Sequence, residues 1–334
     1  MIGRRPLLLA ALAVAALACR KQQSAPGAPL RLAFFPNVTH AQALVGNSEG
    51  AFAAALGGAD RIVTRQFNAG PAAMEALLAG DVDVCWVGPG PAVIAYLRSR
   101  GAIRVVAGAA SGGAVLVVKD ARGPRDLLGK RVASPQLGNT QDIALRTWLK
   151  KAGLEIGEGP RRVNVTPLSN PDILQLFARG DLAGAWVPEP WGARLVAEAH
   201  GKILVDERKL WPGGKFPTTI LVASRRALEV RRDDVVAIVR AQLELTHRWR
   251  ADRLAFAQAA NAEYGRLTGH PLPPAVIEDA FSRLEPSDDP TAAALMEQAR
   301  QARELGYAPQ GDLSELVDPT VLRDARGARR AGAP

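Results

Sequence analysis

The stretch Arg131–Lys150, RVASPQLGNTQDIALRTWLK, contains a short strand, a loop and the beginning of a helix. We expect the strand over Arg131–Ala133, the loop over Ser134–Asn139 and the helix from Thr140. Asn139 or Thr140 can cap that helix, because their side-chain oxygens accept hydrogen bonds from its first free amides. Those amides and the positive end of the helix dipole then face the loop. The stretch therefore predicts an anion-binding turn, although an ordinary turn of this kind binds nothing.

The length and composition indicate a globular protein with two lobes. The chain has 334 residues, of which 48% are hydrophobic and 22% are charged, which is enough for two separate cores. No basic run with interleaved aromatic residues is present, so the sequence does not predict nucleic-acid binding. The formal net charge of +9 is consistent with an anionic solute or an anionic membrane surface.

The N-terminus has the pattern of an export signal with a site for lipid attachment. Two arginines precede the apolar run Leu7–Leu17, which is shorter than the stretch that a membrane-spanning helix needs. The segment ALAC, which ends at Cys19, looks like a bacterial lipobox, although leucine is more usual three places before the cysteine. We therefore expect a signal peptide over residues 1–18, acylation of Cys19, and a flexible tether over residues 19–29. The protein would be periplasmic or held at the cell surface as a lipoprotein.

Neither a disulfide nor a zinc site is indicated. Cys85 is the one cysteine outside the leader, and its surroundings, VDVCWVG, predict a small buried side chain. The four histidines are scattered without the spacing of metal ligands. No G-x-S-x-G motif, P-loop or supported nucleophile–base pair is present. The sequence therefore predicts a protein that uses no cofactor or metal and is not an enzyme.

Strands and helices alternate along most of the chain, in two rounds. In the first round the predicted strands are Leu30–Phe35, Arg61–Phe67, Asp83–Val87, Ile103–Ala109 and Val115–Lys119. In the second round they are Arg131–Ala133, Arg162–Pro167, Ala183–Val187, Ile203–Asp206 and Thr218–Ala223. This alternation argues for mainly parallel sheets with helices on both faces. The last third is helical, with the clearest runs over Arg231–Tyr264 and Pro274–Leu284.

These segments resemble the periplasmic solute-binding proteins of ABC importers, and most closely the nitrate, sulfonate, taurine and bicarbonate group. The resemblance covers roughly residues 30–250 and rests on loop and turn segments, namely FFPNVTHAQALVG, EALLAGDVDVCWVGPGPAV, SPQLGNTQDIALRTWL, AWVPEPWGARL and DERKLWPGGKFPTT. It implies an α/β, type II periplasmic-binding-protein-like fold, in which two doubly wound lobes joined by a two-strand hinge close on a solute. It also implies a monomer whose partners are a small anionic or zwitterionic solute, an ABC permease, and the membrane through lipid at Cys19.

The resemblance also divides the chain into lobes. By position, lobe 1 would be residues 30–119 plus 224–334, and lobe 2 residues 120–223. The hinge strands would be Val115–Lys119 and Ile220–Ala223, since an apolar pair of strands lets few residues absorb a rotation. Two alternatives stay open: a pyrimidine-synthase-like enzyme of the same fold, whose glycine- and cysteine-rich signature is absent here, and a ligand-sensing binding protein.

The candidate ligand-binding residues follow strand ends, where the ligands of open α/β sheets bind. They are Phe35, Asn37, Thr39, His40, Gly88, Pro89, Gly90, Gln136, Gly138, Asn139, Thr140, Trp186, Pro188, Glu189, Trp191 and Thr218. The strongest oxyanion candidates are in lobe 2, because they offer neutral donors without a buried counter-charge; they are Gln136, Gly138, Asn139 and Thr140.

Several of these residues also have an ordinary structural interpretation. Asn37 and Thr39 are suited to capping a helix, and a lone histidine such as His40 is more often a satisfied side chain than a ligand contact. Trp186 is suited to the core of a lobe. Glu189 would repel an anion, so we expect it to turn away, to pair with an arginine, or to bind an amine on the solute.

Overall fold

A computed structural model describes residues 28–331, with only the backbone for 328–331, as two six-stranded sheets flanked by helices. The strands are β1 (Leu30–Phe34), β2 (Ile62–Gln66), β3 (Val84–Val87), β4 (Ile103–Gly112), β5 (Ala114–Val118), β6 (Arg131–Ser134), β7 (Glu155–Ile156), β8 (Arg162–Pro167), β9 (Gly184–Pro188), β10 (Lys202–Asp206), β11 (Pro217–Ser224) and β12 (Leu284–Pro286). The α-helices are α1 (Ala41–Ser48), α2 (Ala51–Ala55), α3 (Gly70–Ala79), α4 (Pro89–Ser99), α5 (Thr140–Lys151), α6 (Asn170–Ala178), α7 (Trp191–Ala199), α8 (Arg225–Val230), α9 (Arg232–Ala251), α10 (Arg253–Thr268), α11 (Pro274–Ser282), α12 (Ala292–Glu304) and α13 (Pro319–Ala331).

Three predictions about the N-terminus fall wholly or mostly outside this description. The expected signal peptide, the acylation site Cys19 and all but the last two residues of the tether lie outside the described residues. Within residues 28–331, no helix combines the length and the apolar character needed to cross a membrane.

The first sheet, in the order β12-β4-β11-β3-β1-β2, is the centre of lobe 1. β1 runs parallel to β2 and β3, and β11 runs antiparallel to β3 and β4. Alternate side chains of β1 lie on opposite faces of the sheet: Leu32 and Phe34 belong to one buried cluster, and Ala33 belongs to the other. Helices therefore cover both faces of this sheet.

The second sheet, in the order β10-β5-β9-β6-β8-β7, is the centre of lobe 2. β6 runs parallel to β8 and β9, and β5 runs antiparallel to β9 and β10. Val115 and Val117 of β5 pack in one buried cluster, whereas Leu116 and Val118 pack in the other. Each lobe therefore has its own sheet and its own pair of hydrophobic layers.

The lobes are joined at points that differ from the predicted hinge strands. β5 pairs with β9 and β10 of the second sheet, and β11 lies between β3 and β4 of the first. The chain therefore enters lobe 2 at Gly112 and Gly113, whose φ angles of 77° and 72° favour glycine, and returns over residues 207–216. Both strands are predicted from the sequence, but an apolar run does not reveal which sheet a strand joins. The lobe boundaries accordingly shift from the predicted 119 and 223.

The C-terminal helices return to lobe 1 and also contact lobe 2. The predicted helical run Arg231–Tyr264 is two helices, α9 and α10, because Asp252 has an extended backbone and its carboxylate accepts from the Ala255 amide at 2.9 Å. Further on, α11 packs against α7 and α12 packs against α5. The two lobes are therefore held together by helix packing as well as by the two crossings of the chain.

Candidate ligand-binding site

A small cavity of about 30 Å³ lies between the lobes, at the carboxyl ends of strands from both sheets. We call it the inner cavity. Its lining residues are Phe35, Asn37, Thr39, His40, Asn68, Ala69, Gly70, Gly88, Pro91, Pro135, Asn139, Thr140, Gln141, Asn170, Pro188 and Thr218. This lining contains no aspartate, glutamate, lysine or arginine. Any solute held there would be recognised by neutral polar groups.

Three helices have their N-cap residue in the lining of the inner cavity, and a fourth, α6, begins there with Asn170. The three N-cap residues are Ala69 of α3, Gly88 of α4 and Asn139 of α5. Asn139 caps α5 as predicted, since its Oδ1 accepts from the Asp142 amide at 2.7 Å. The first amides of a helix lack partners within that helix, and they carry the positive end of its dipole. Their convergence favours an anion without any buried counter-charge.

Prolines restrict what α4 can donate to the cavity. Pro89 and Pro91 have no N–H, so Gly90 supplies the one amide among the first three residues of this helix. That amide donates to Thr140 Oγ1 at 3.1 Å, which is a hydrogen bond from lobe 1 to lobe 2. A Cβ on Gly88 would lie 2.3 Å from the same oxygen. Glycine is therefore what allows the lobes to approach each other here.

A buried carboxylate, Asp142, fixes the loop before α5. Its Oδ1 accepts from Ser134 Oγ at 2.8 Å and from Arg146 Nε at 2.9 Å, and its Oδ2 accepts from the Gly138 amide at 3.0 Å. The hydroxyl of Tyr307, from the C-terminal part of lobe 1, donates to Oδ2 at 2.9 Å. Burial and this carboxylate raise the pKa of Tyr307. The predicted role of Gly138 needs correction, because its amide is used inside the loop.

His40 contributes to the cavity wall as a neutral imidazole. Complete burial lowers its pKa to about 3. Its Nδ1 accepts from the Phe35 amide at 3.4 Å, and its ring packs against the Phe35 ring with 4.4 Å between centroids. Because Nδ1 is an acceptor, the proton of the neutral ring lies on Nε2. His40 therefore adds one N–H donor and no charge.

Asn37 and Trp191 connect the two lobes beside the cavity. Trp191 Nε1 donates to Asn37 Oδ1 at 3.0 Å, and both side chains are buried. Trp191 does not line the inner cavity. It lines a larger outer chamber of about 490 Å³, which shares Asn37, Asn68 and Asn170 with the inner cavity.

The outer chamber has an aromatic and partly charged wall. The Arg194 guanidinium lies over the Trp191 ring, 4.7 Å from its centroid, and its Nε is 2.7 Å from Glu198 Oε1. Tyr264 and Leu267 of α10 complete this wall from lobe 1. The chamber is thus suited to the organic part of a solute whose anionic group occupies the inner cavity.

Some predicted residues do not line the inner cavity; they are Pro89, Gly90, Gln136, Gly138, Trp186, Glu189 and Trp191. Trp186 is in the core of lobe 2 and donates from Nε1 to Glu207 Oε2 at 2.8 Å, so its assignment as a ligand contact is not supported by its position. Gln136 is half-buried. Thr218 does line the cavity, but its hydroxyl donates to the Gly112 carbonyl.

Glu189 pairs with an arginine, which is one of the three outcomes expected for it. Its Oε1 lies 2.6 Å from Nε of Arg283, and its Oε2 accepts from the Ala193 amide at 2.9 Å. Burial raises the pKa of Glu189, and the positive charge of Arg283 opposes that rise. Because Arg283 belongs to lobe 1 and Glu189 to lobe 2, this buried ion pair also joins the lobes.

Sequence reasoning missed part of the lining, namely Asn68, Ala69, Gly70, Pro91, Pro135, Gln141 and Asn170. Asn68 and Asn170 follow β2 and β8, so the rule that selected other strand ends would have found them. Asn170 is buried, and its Oδ1 has no hydrogen-bond partner among the described residues. This oxygen is an acceptor for a donor group on a solute.

Comparisons with known proteins agree with this geometry. The sequence model of the NMT1-like family matches residues 23–263. The taurine-binding periplasmic protein of Escherichia coli is 28% identical over 268 residues, which are 76% of this chain and 81% of that protein.

Two solved structures show the same fold. The alkanesulfonate-binding protein from Xanthomonas axonopodis pv. citri, bound to MOPS, aligns with a TM-score of 0.68 and 22% identity over 86% of this chain and 96% of that one. The periplasmic nitrate-binding protein from Synechocystis PCC 6803 aligns with a TM-score of 0.74 and 14% identity over 90% and 89%. The predicted type II periplasmic-binding-protein-like fold is confirmed, and the similar proteins named here are binding proteins rather than enzymes.

Proposed function

The chain belongs to the NMT1-like family, and we propose that it is the extracytoplasmic solute-binding component of an ABC importer. It captures a small oxyanion in the inner cavity and delivers it unchanged to a permease. The observation that carries this proposal is the convergence of the N-termini of α3, from lobe 1, and α5, from lobe 2, on a cavity whose lining has no charged side chain. The taurine-binding and alkanesulfonate-binding relatives support the same class of solute.

Binding is coupled to the approach of the lobes. Hydrogen bonds and ion pairs join the two lobes in this structure, such as Gly90 to Thr140 and Glu189 to Arg283, and a separation of the lobes at these points would break them. A solute that contacts the N-termini of α3 and α5 together adds further interactions that the open form cannot offer. It therefore shifts the population toward the closed form by its differential affinity.

The solute is an organic sulfonate such as taurine or an alkanesulfonate, rather than nitrate. The inner cavity adjoins the 490 Å³ outer chamber through shared residues, so an organic tail has a place beside Trp191 and Tyr264. A nitrate ion has no group to fill that space. The unpartnered oxygen of Asn170 can accept from an amine, which suits a zwitterion such as taurine.

The enzyme alternative requires an activated group at the cavity, and the candidates are poorly suited to that role. Burial raises the pKa of the Cys85 thiol, which lies in the core of lobe 1, and a buried thiol of this kind is inert. His40 remains neutral at every physiological pH. The proposal is therefore reversible binding in which no bond of the solute is broken.

Thermal shift and calorimetry with taurine, ethanesulfonate, nitrate and bicarbonate test this function. At 100 times the dissociation constant a solute adds about 2.7 kcal/mol to the stability of the folded form, which corresponds to a rise of about 4 °C for roughly 300 ordered residues. We expect that rise with taurine or ethanesulfonate, and mass spectrometry should recover the solute unchanged. Binding of none of the four, or conversion of the solute, would contradict the proposal.

Membrane attachment is the second part of the proposal. After export, Cys19 would be acylated, and the ten residues that follow would reach at most about 35 Å from the membrane surface to lobe 1. Labelling with a fatty-acid analogue tests this in cells that produce the natural protein or Cys19→Ala. Label on the natural protein alone supports the anchor, and absence of label from both contradicts it.

A further inference from the structure

A third depression, the aromatic groove, lies along the C-terminal half of α5. It has a volume of about 520 Å³ and is bounded by α5, by the return segment 207–215 and by α12 with the residue before it. It shares no lining residue with the inner cavity or the outer chamber. We propose that the aromatic groove is a second ligand site, which takes an organic anion with a flat apolar body.

Two tryptophans give the groove fixed aromatic surfaces. Trp211 stacks on Phe216 with 5.1 Å between ring centroids and an angle of 28°. Trp148 contacts the buried Trp186 edge-on, with 6.1 Å between centroids. Leu210, which is 50% exposed, extends the apolar surface between them. A flat hydrocarbon body is the shape that gains most from such a surface, because aromatic rings prefer offset or edge contacts with one another.

The rim of the groove is positively charged. Lys151 and Lys215 line it, and both are exposed. The nearest acidic side chain on the rim, Glu297, is already engaged, since it accepts from Arg300 at 2.6 Å and from Gln301 at 2.7 Å. An anionic group on a ligand would therefore meet two lysines whose long stems can adapt to it.

The floor of the groove does not repel an anion at neutral pH. Glu207 is fully buried there and accepts from Trp186 Nε1 at 2.8 Å. Burial raises its pKa to about 8, so the carboxyl group is mainly protonated at pH 7. The charges presented to a ligand are therefore those of the two rim lysines and of Glu297, which is paired with Arg300.

The groove is also bounded by both lobes. α5 belongs to lobe 2, α12 belongs to lobe 1, and residues 207–215 form the return crossing between them. A ligand in the groove thus contacts all three parts of the structure that move when the cleft opens, while leaving the inner cavity unoccupied. This inference does not depend on the proposed function of the cleft.

Calorimetry with 2-naphthalenesulfonate on the mature full-length protein tests the site, with the neutral 2-naphthalenemethanol as a reference probe. Ala293→Trp places a large ring in the groove from an exposed position, and Lys151→Glu reverses a rim charge. Lys202→Glu is the matched control, since it makes the same charge change on exposed β10 outside the groove. Thermal midpoints verify that each variant is folded.

We expect one equivalent of the sulfonate to bind when saturating taurine is present in the cell and the syringe, so that the cleft is already occupied. The affinity of the sulfonate should fall about tenfold or more in Ala293→Trp, since the added ring competes with the ligand for the apolar surface of the groove, and about fivefold in Lys151→Glu, since a rim cation becomes an anion. Lys202→Glu should bind within about twofold of the natural protein, and the neutral probe should bind more weakly than the sulfonate. The proposal is overturned if the sulfonate does not bind, if Ala293→Trp binds it equally well, or if saturating taurine displaces it.

Discussion

The sharpest prediction concerns Gly88, where the backbone of lobe 1 lies close to Thr140 of lobe 2. Its φ of −70° and ψ of 153° are open to any residue, so Gly88→Ala leaves lobe 1 unstrained and reduces the freedom of the unfolded chain. The added Cβ would nevertheless lie 2.3 Å from Thr140 Oγ1 in lobe 2. We therefore expect Gly88→Ala to fold normally, but we expect its two lobes to close less completely around the solute.

The size of the effect follows from the overlap. An overlap of roughly 1 Å in a packed contact costs about 1–3 kcal/mol, which corresponds to a loss of about 5- to 150-fold in solute affinity. The next contact of the Cβ would be Thr140 Cβ at 3.3 Å, which needs a shift of only a few tenths of an ångström. Thr140→Ala removes the overlapping oxygen at the cost of one hydrogen bond to Gly90. Gly88→Ala in that background should therefore cause little further loss.

A double-mutant cycle measured by calorimetry with taurine or ethanesulfonate tests this reasoning. Gly123→Ala is the matched control, because a Cβ there meets nothing within 4 Å. Small-angle scattering with saturating solute should show a larger radius of gyration for Gly88→Ala than for the natural protein. Unchanged affinity in Gly88→Ala, or additive losses in the double variant, would refute the assignment of this contact to closure.

Three other predictions address the anion site, the buried ion pair and the buried acid. Asn139→Asp should retain the cap of α5, since aspartate caps as well as asparagine. The added negative charge should weaken the binding of an anion about tenfold or more, as measured by calorimetry. Equal affinity would contradict the assignment of the anion site to the inner cavity. Arg283→Met should lower the free energy of unfolding by urea by about 3–5 kcal/mol, because it leaves Glu189 buried and unpaired, whereas Arg225→Met at an exposed pair should cost less than about 1 kcal/mol. Burial raises the pKa of Glu207 from 4.5 to about 8, so the folded state holds a proton that the unfolded chain releases between these values. The contribution of Glu207 to the free energy of unfolding is therefore complete below pH 4.5. It decreases as the pH rises toward 8, by at most about 1.4 kcal/mol per pH unit. That slope should be missing from Glu207→Gln, and identical slopes would contradict the assignment.

The local chemistry of the site was largely predictable from the sequence. Asn139 before a helical run predicts a cap, and the structure shows its Oδ1 in that role. Strand-end loops predict a cleft, and Phe35, Gly88 and Pro188 from three different strand ends do meet at the inner cavity. Such predictions succeed because they depend on neighbours along the chain and on the direction of strands in a parallel sheet.

The features that were not predictable depend on contacts between distant parts of the chain. Arg283 and Glu189 are 94 residues apart, and no local pattern marks them as partners. The role of Gly138 was misjudged because its donor is taken by Asp142, which looks like an ordinary first-turn acid in the sequence. For Trp186 the sequence offered both a ligand contact and a place in the core of a lobe, and the packing of the sheet decides for the core.

The central claim is that an intact oxyanion is held between the lobes by the N-termini of α3 and α5. A crystal structure of the protein with ethanesulfonate tests it most directly. We expect the sulfonate oxygens within about 3.2 Å of donors around Gly70 and Thr140, with the ethyl group directed toward Trp191 and the carbon–sulfur bond intact. A sulfonate located elsewhere, or one that touches a single lobe, would contradict the account.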